Sequence, residues 1–339
     1  MLLYVPCQKL PSDLSFTSQS WIIRYPKAPL IMLEQAMNPI DIIFPLIFVV
    51  AAGFICAKIN FLSVIHFDGL RTFIFNLAIP VFLFLSMYKA DLQQALSLNL
   101  LLSFYLPVVL VYFAVCIAFK VFGKVSFSDA AVLALSGCYS NTVLVGLPII
   151  IMALGDRYGA LVFMVITFHS ALLFALTFAL SSNVKGSLGE LLKPLLLNPV
   201  VLSISLGIVA NAMSLPLPTT LINGLSLLSE PAIAGALFVL GASLNQYSVK
   251  EAWKGALIIS VIKLGLLPAA VFTFATWVFN LPAAHVAVVT LMAASPLGVN
   301  AYLVARQLRV KQDVAASSVV LSTLLSVFTL SVWLLTLIP

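Results

Sequence analysis

The sequence predicts an all-α polytopic membrane protein with ten transmembrane helices, and three observations predict it. Hydrophobic residues fill 62% of the 339 positions, charged residues only 8%, and the mean hydropathy is +1.16; soluble domains carry roughly 25% charge. Polar and charged breaks separate ten apolar stretches, most near the length of about 20 residues that a hydrocarbon core about 30 Å thick demands. The stretches are apolar throughout, whereas the strands of an outer-membrane barrel alternate apolar and polar.

In order, the spans fall at approximately 40–57, 70–88, 99–119, 129–154, 158–180, 199–214, 220–244, 253–278, 284–305 and 313–338. Ahead of them, residues 1–36 mix Lys9, Arg24 and Lys27 with Pro6, Pro11, Pro26 and Pro29 and contain no clean apolar run. That segment lacks the order of a signal peptide, so it is expected to be a tail outside the fold, and Met37 reads as a natural start. The first span then opens at NPIDIIFPLIFVVAAG from Asn38, and the second carries AIPVFLFLSM around Pro80. The third is plainly apolar, whereas the fourth is interrupted by SGCYSNTVLVGLPIII, from Ser136 to Ile151. The fifth contains His169, and a linker at 184–198 follows, carrying Lys185 and Lys193. NPVVLSISLGIVANAM at Asn198 opens the sixth span and EPAIAGALFVLGASL around Pro231 lies in the seventh. Lys263 lies in the eighth, SPLGVN interrupts the ninth, and the tenth is apolar to the end.

The two halves resemble each other. Asn38 and Asn198 each open a group of five spans, Pro80 corresponds to Pro231, and AAVLALSGCYSNTVLVGLP in the fourth span lies over VAVVTLMAASPLGVNAYLV in the ninth. Five is odd, so the halves, 37–183 and 199–339, must insert with opposite topology. Inverted repeats with interrupted helices at corresponding places are the sequence sign of a secondary transporter. Non-helical backbone survives at membrane depth only where it is buried in protein or lines a cavity. Spans four and nine are therefore expected to be broken helices that meet near the midplane. Pro148 and Pro296 remove a donor each, Gly146 and Gly298 permit close approach, and Asn141, Asn300, Ser140 and Ser295 supply polar side chains. The broken backbone is expected to present unpaired N–H groups, and the half-helix dipoles to favour an anion, a carboxylate above a cation.

Charge sets the orientation. With the N-terminus outside, the inner loops hold Lys58, Arg71, Lys120, Lys124, Lys185, Lys193, Lys250, Lys254, Arg306, Arg309 and Lys311, and the outer loops between spans hold only Lys89 and Arg157. This is the positive-inside asymmetry. Both termini are expected on the non-cytoplasmic side of the cell membrane, and the net charge of +6 needs no nucleic-acid partner. Two ionisable residues stand inside spans, Glu230 and Lys263, each about nine residues deep; they are expected either to serve coupling or substrate charge, or to pair structurally.

Other chemistry lacks its signatures. Cys7, Cys56, Cys116 and Cys138, and His66, His169 and His285, show no metal spacing, so neither a metal nor a cofactor is expected. Ser140, His169 and Asp156 could form an intramembrane hydrolase triad, but no GxSxG, HExxH or phosphate-binding loop occurs, so the chain is not expected to be an enzyme. An anion channel is the alternative to a carrier.

SNTVLVGLP at Ser140–Pro148, AIPVFLF at Ala78–Phe84, LGASL at Leu240–Leu244 and SPLGVNAYLVA at Ser295–Ala305 resemble the auxin efflux carrier family of membrane transporters, in its prokaryotic branch, across approximately 38–338. The resemblance implies two inverted five-helix repeats, a scaffold and a transport subdomain, and crossed unwound helices four and nine forming the substrate site. It also implies export or uptake of organic anions, including malate, malonate and, in plants, auxin. The long hydrophilic loop between spans five and six that many plant members carry is missing here, which points away from auxin. The expected substrate-binding residues are Ser140, Asn141, Thr142, Gly146, Pro148, Ser295, Pro296, Gly298 and Asn300. The expected partners are a small organic anion, a proton or sodium as coupling ion, and the lipid bilayer, with a homodimer left open.

Overall fold

A computed structural model describes residues 39–90, 97–181, 197, 199–245 and 252–338. The expected tail at 1–36 and all of the 184–198 linker except Leu197 lie outside the described residues. Among those described, the chain is helical and contains no strand beyond one isolated bridge.

The first half begins with α1 (Pro39–Lys58), followed by α2 (Val64–Phe73), which runs through a π-helical turn into α3 (Ile79–Tyr88). Ser63 opens α2, its hydroxyl 2.8 Å from His66 Nδ1. This helix therefore starts several residues before the apolar run at 70–88, and Arg71 lies inside it instead of in a loop. Next come α4 (Leu98–Val121) and α5 (Phe127–Cys138), the latter started by Ser126, whose Oγ accepts from the Asp129 amide at 3.0 Å while Asp129 accepts in return. A π-helical turn at Thr142–Gly146 leads into α6 (Leu147–Leu154), and α7 (Gly159–Leu180) ends the half.

The second half contains α8 (Pro199–Ala212), α9 (Thr219–Ser229), α10 (Ala232–Leu244), α11 (Trp253–Val261), α12 (Leu267–Thr273), α13 (Ala283–Ala294), α14 (Val299–Leu308) and α15 (Gln312–Leu337). π-helical turns at Ile262–Leu266 and Phe274–Val278 flank α12. Pro80, Pro148 and Pro268 each stand just after such a turn, at the start of a helix. Proline lacks an N–H and its ring clashes with the carbonyl one turn back, so a locally widened turn lets the chain continue without a sharp break.

Among the described residues, six helical runs are long and apolar enough to cross a membrane: Val64–Tyr88, Leu98–Val121, Asp156–Leu180, Thr219–Leu244, Trp253–Val278 and Gln312–Leu337. The first expected span is occupied by α1, itself 20 residues long, and the fourth, sixth and ninth by shorter apolar helices. For the fourth and ninth spans the reason is the interruption itself, since α5 stops at Cys138 and α13 at Ala294.

Small residues decide which helices touch. α1 packs on α10, and α8 packs on α3. A Cβ on Gly53 would come within 2.0 Å of the Phe238 carbonyl oxygen, and one on Gly241 within 1.9 Å of that of Val50. A Cβ on Gly207 would meet the Phe84 oxygen at 2.7 Å. Without a hydrophobic drive between helices in lipid, this kind of close backbone approach supplies the packing energy. Asn211 adds a polar tie, its amide within 2.9 Å of the Met87 and Tyr88 carbonyls at the open end of α3.

Candidate functional site

The interrupted segments of the fourth and ninth spans meet. Ser140 and Leu297 form an isolated antiparallel bridge, in which the Asn141 amide donates to the Pro296 carbonyl at 2.8 Å and the Gly298 amide donates to the Tyr139 carbonyl at 3.2 Å. Backbone groups stranded by leaving helical geometry are thus paired across the crossing. Three further amides are engaged: Ser140 N–H donates to His169 Nε2 at 2.9 Å, Leu297 N–H to Ser322 Oγ at 3.0 Å, and Ser295 N–H to the Leu291 carbonyl at 3.0 Å. The expectation that the breaks present unpaired N–H groups fails for these amides; it holds for the first-turn amides of α14, Val299 and Asn300, which have no acceptor among the described residues. An unpaired amide at this depth is costly, so these amides pair across the two breaks and with two neighbouring helices.

What the crossing leaves open is side-chain chemistry. Ser140 and Asn141 are buried, and Ser140 Oγ and Asn141 Nδ2 have no hydrogen-bond partner. Asn141 Oδ1 caps the following turn, accepting from the Leu144 amide at 3.3 Å, so its amide nitrogen is the free end. Opposite, Asn300 Nδ2 donates to the Tyr139 hydroxyl at 3.2 Å. That hydroxyl lies 2.7 Å from Ser170 Oγ, and the Tyr139 ring stacks on His169 and on Phe174, with centroids 5.0 and 5.1 Å away. Gly298 makes room for it, since a Cβ there would stand 2.6 Å from the Tyr139 ring.

A cavity of about 870 Å³ is lined by this crossing and by Asn76, Asn245, Arg71 and Arg306, together with Asn60 and Leu62 in the connection between α1 and α2. Of the expected substrate-binding residues, Ser140, Asn141, Thr142, Gly298 and Asn300 line it. Gly146, Pro148, Ser295 and Pro296 do not line it, and each has contacts within the protein. Ser295 turns its hydroxyl back to the Leu291 carbonyl at 3.0 Å, and a Cβ on Gly146 would come within 2.9 Å of Ser295 Oγ. Pro296 contributes its carbonyl to the bridge, and Pro148 is buried in the first turn of α6. Residue-by-residue reading also missed Tyr139, although it adjoins Ser140, and counted Arg71 and Arg306 as loop charges, whereas α2 and α14 carry them.

Lys263 and Glu230 stand in different surroundings. Lys263 is fully buried, and its ammonium donates to the Ala293 carbonyl at 2.6 Å. That carbonyl belongs to the last turn of α13, one of the acceptors orphaned where the helix breaks, so Lys263 caps the broken end. Glu230 is exposed at the junction of α9 and α10, and among the described residues no ion pair joins it to Lys263. His169 Nε2 is occupied by the Ser140 backbone amide, not the Ser140 hydroxyl, and Asp156 lies in a short 3₁₀ turn beyond α6. A hydrolytic nucleophile needs its hydroxyl within reach of the base, and that contact is replaced by a backbone one.

Residues 40–188 and 182–334 match the family model described as membrane transport protein. A protein of Rhizobium meliloti (strain 1021), provisionally named a malonate transporter, is 24% identical over 270 residues, covering 77% of this chain and 84% of its own length.

Proposed function

Because this chain belongs to the membrane transport protein family, the auxin efflux carriers of the sequence resemblance, we propose that it is a secondary active transporter that moves a small organic anion, a carboxylate, by alternating access. The observation that carries this reading is the polar cavity ending at the helix crossing, with the unpartnered amide of Asn141 buried at its floor beside Asn300. An amide nitrogen donates to a carboxylate without adding a charge that would have to be desolvated. The half-helices beyond each break point their positive ends toward the same place. Malonate, the compound in the name of the Rhizobium meliloti relative, is the first substrate to try.

In this reading ten helices form two inverted repeats, residues 37–183 and 199–339. The reciprocal pairing of α1 on α10 and α8 on α3 supports it, because an inverted repeat that places span one against span seven must also place span six against span two. Both termini lie on the non-cytoplasmic side, the cavity faces the cytoplasm, and a proton or sodium gradient drives transport. The test is uptake of labelled malonate into proteoliposomes under imposed proton or sodium gradients. Saturable uptake that follows a gradient is expected. Uptake linear in concentration would mark a channel, and failure across a panel of small carboxylates would discard the substrate class.

A further inference from the structure

The cavity wall also carries charge that the side chains at the crossing do not supply. The charged residues of its wall, among those described, are Arg71 on α2, Arg306 on α14 and Asp68 on α2. All three are exposed. A basic residue needed only for topology has to be on the cytoplasmic side but has no reason to face a cavity. Arg71 and Arg306 come from different halves of the chain and line the same one.

We propose that Arg71 and Arg306 form a second anion subsite at the mouth of the cavity, which concentrates small organic anions before they reach Asn141 and Asn300. The inference rests on the transport reading for the identity of the anion, though not for the charge of the mouth. The volume allows two stations. At about 870 Å³ the cavity lies in the upper part of the range of about 300–1,000 Å³ that holds drug-sized ligands, well beyond a small carboxylate at the crossing. A cleft with walls of low dielectric focuses the field of the charges lining it and raises the local concentration of the opposite ion. A guanidinium also binds carboxylate through paired N–H donors. Because attraction scales with ligand charge, the subsite favours a dicarboxylate over a monocarboxylate. Asp68 works against it and trims the net charge of the mouth.

The local potential is measurable without knowing the substrate. Ser243→Cys places a thiol in the same cavity wall, and its modification by a sulfonate-bearing and by a trimethylammonium-bearing methanethiosulfonate is timed in the full-length protein, with the Ser243 protein as background. The anionic reagent is expected to be favoured. The ratio of the two rates should fall about three- to tenfold in Arg71→Gln and Arg306→Gln and rise in Asp68→Asn. It should hold in Arg71→Lys and Arg306→Lys, and all differences should shrink at high salt. Malonate should slow the anionic reagent at lower concentrations than acetate does, and that advantage should vanish in the double Gln variant. An unchanged rate ratio in the Gln variants, or equal loss in the Lys variants, would overturn the subsite. Loss of malonate protection in Asn141→Ala with the rate ratio intact would leave the mouth standing and locate malonate binding at the floor.

Discussion

At the scale of single residues, the arrangement separates side chains that can face a ligand from those that hold the backbone. Asn141 offers a buried, unpartnered amide nitrogen, so Asn141→Ala should weaken malonate binding by about 1.5–3 kcal/mol, the worth of a hydrogen bond to a charged group. Asn300 already donates to Tyr139, and its replacement by Ala should cost less, about 0.5–1.5 kcal/mol. Calorimetry on purified protein measures both, and equal wild-type affinity in the two variants would move the site elsewhere. Asn141→Asp should bind worst, since it sets a like charge against the anion in a poorly hydrated place. Lys263 belongs to the second group. Lys263→Met leaves the Ala293 carbonyl without a donor and should lower stability by about 1–3 kcal/mol, whereas Glu230→Gln, at an exposed junction, should change it by less than about 0.5 kcal/mol. Thermal unfolding of the double variant should give the sum; recovery in the double variant would show that the two residues are coupled after all.

At the scale of elements, glycine decides how closely helices and half-helices approach. Gly241→Ala drives a methyl group into the Val50 carbonyl, a backbone atom that moves only if α1 and α10 separate. A loss of about 1–3 kcal/mol or more is expected from overpacking of this kind. Gly298→Ala meets the Tyr139 ring, which is held by two ring contacts and by its tied hydroxyl. Both unfolding temperature and malonate binding should suffer there. Gly224 is the control: nothing lies within 4 Å of its missing Cβ, and Gly224→Ala in α9 should stabilise by up to about 1 kcal/mol. If Gly241→Ala and Gly224→Ala unfold alike, close approach is not what joins α1 to α10.

At the scale of the whole molecule, orientation and ligand linkage are the measurable properties. A cysteine at Lys124, in the turn between α4 and α5, should react with an impermeant thiol reagent only from the cytoplasmic side. One at Arg157, between α6 and α7, should react only from outside. The reverse pattern at either position would invert the proposed topology. Malonate at 100 times its dissociation constant should stabilise the folded protein by about 2.7 kcal/mol, visible as a rise in unfolding temperature that Asn141→Ala loses.

Membrane residence, helical class and the places where two helices break could be deduced from residue order alone, because they follow from local properties: apolar run length, and Pro, Gly and Asn inside such runs. The Ser140–Pro148 and Ser295–Asn300 interruptions were legible for that reason. Which atoms remain free at the breaks was not legible, because it depends on partners far away in the chain. The amide of Asn141 is satisfied by Pro296 and that of Ser140 by His169, whereas the side-chain nitrogen of Asn141 is left over. The same holds for charge. Lys263 finds the Ala293 carbonyl thirty residues on, and Arg71 and Arg306 share one cavity only because α2 and α14 are brought to the same opening. Sequence decides what each residue can donate or bury; the tertiary fold decides which of those capacities are used up by the protein itself and which remain for a ligand.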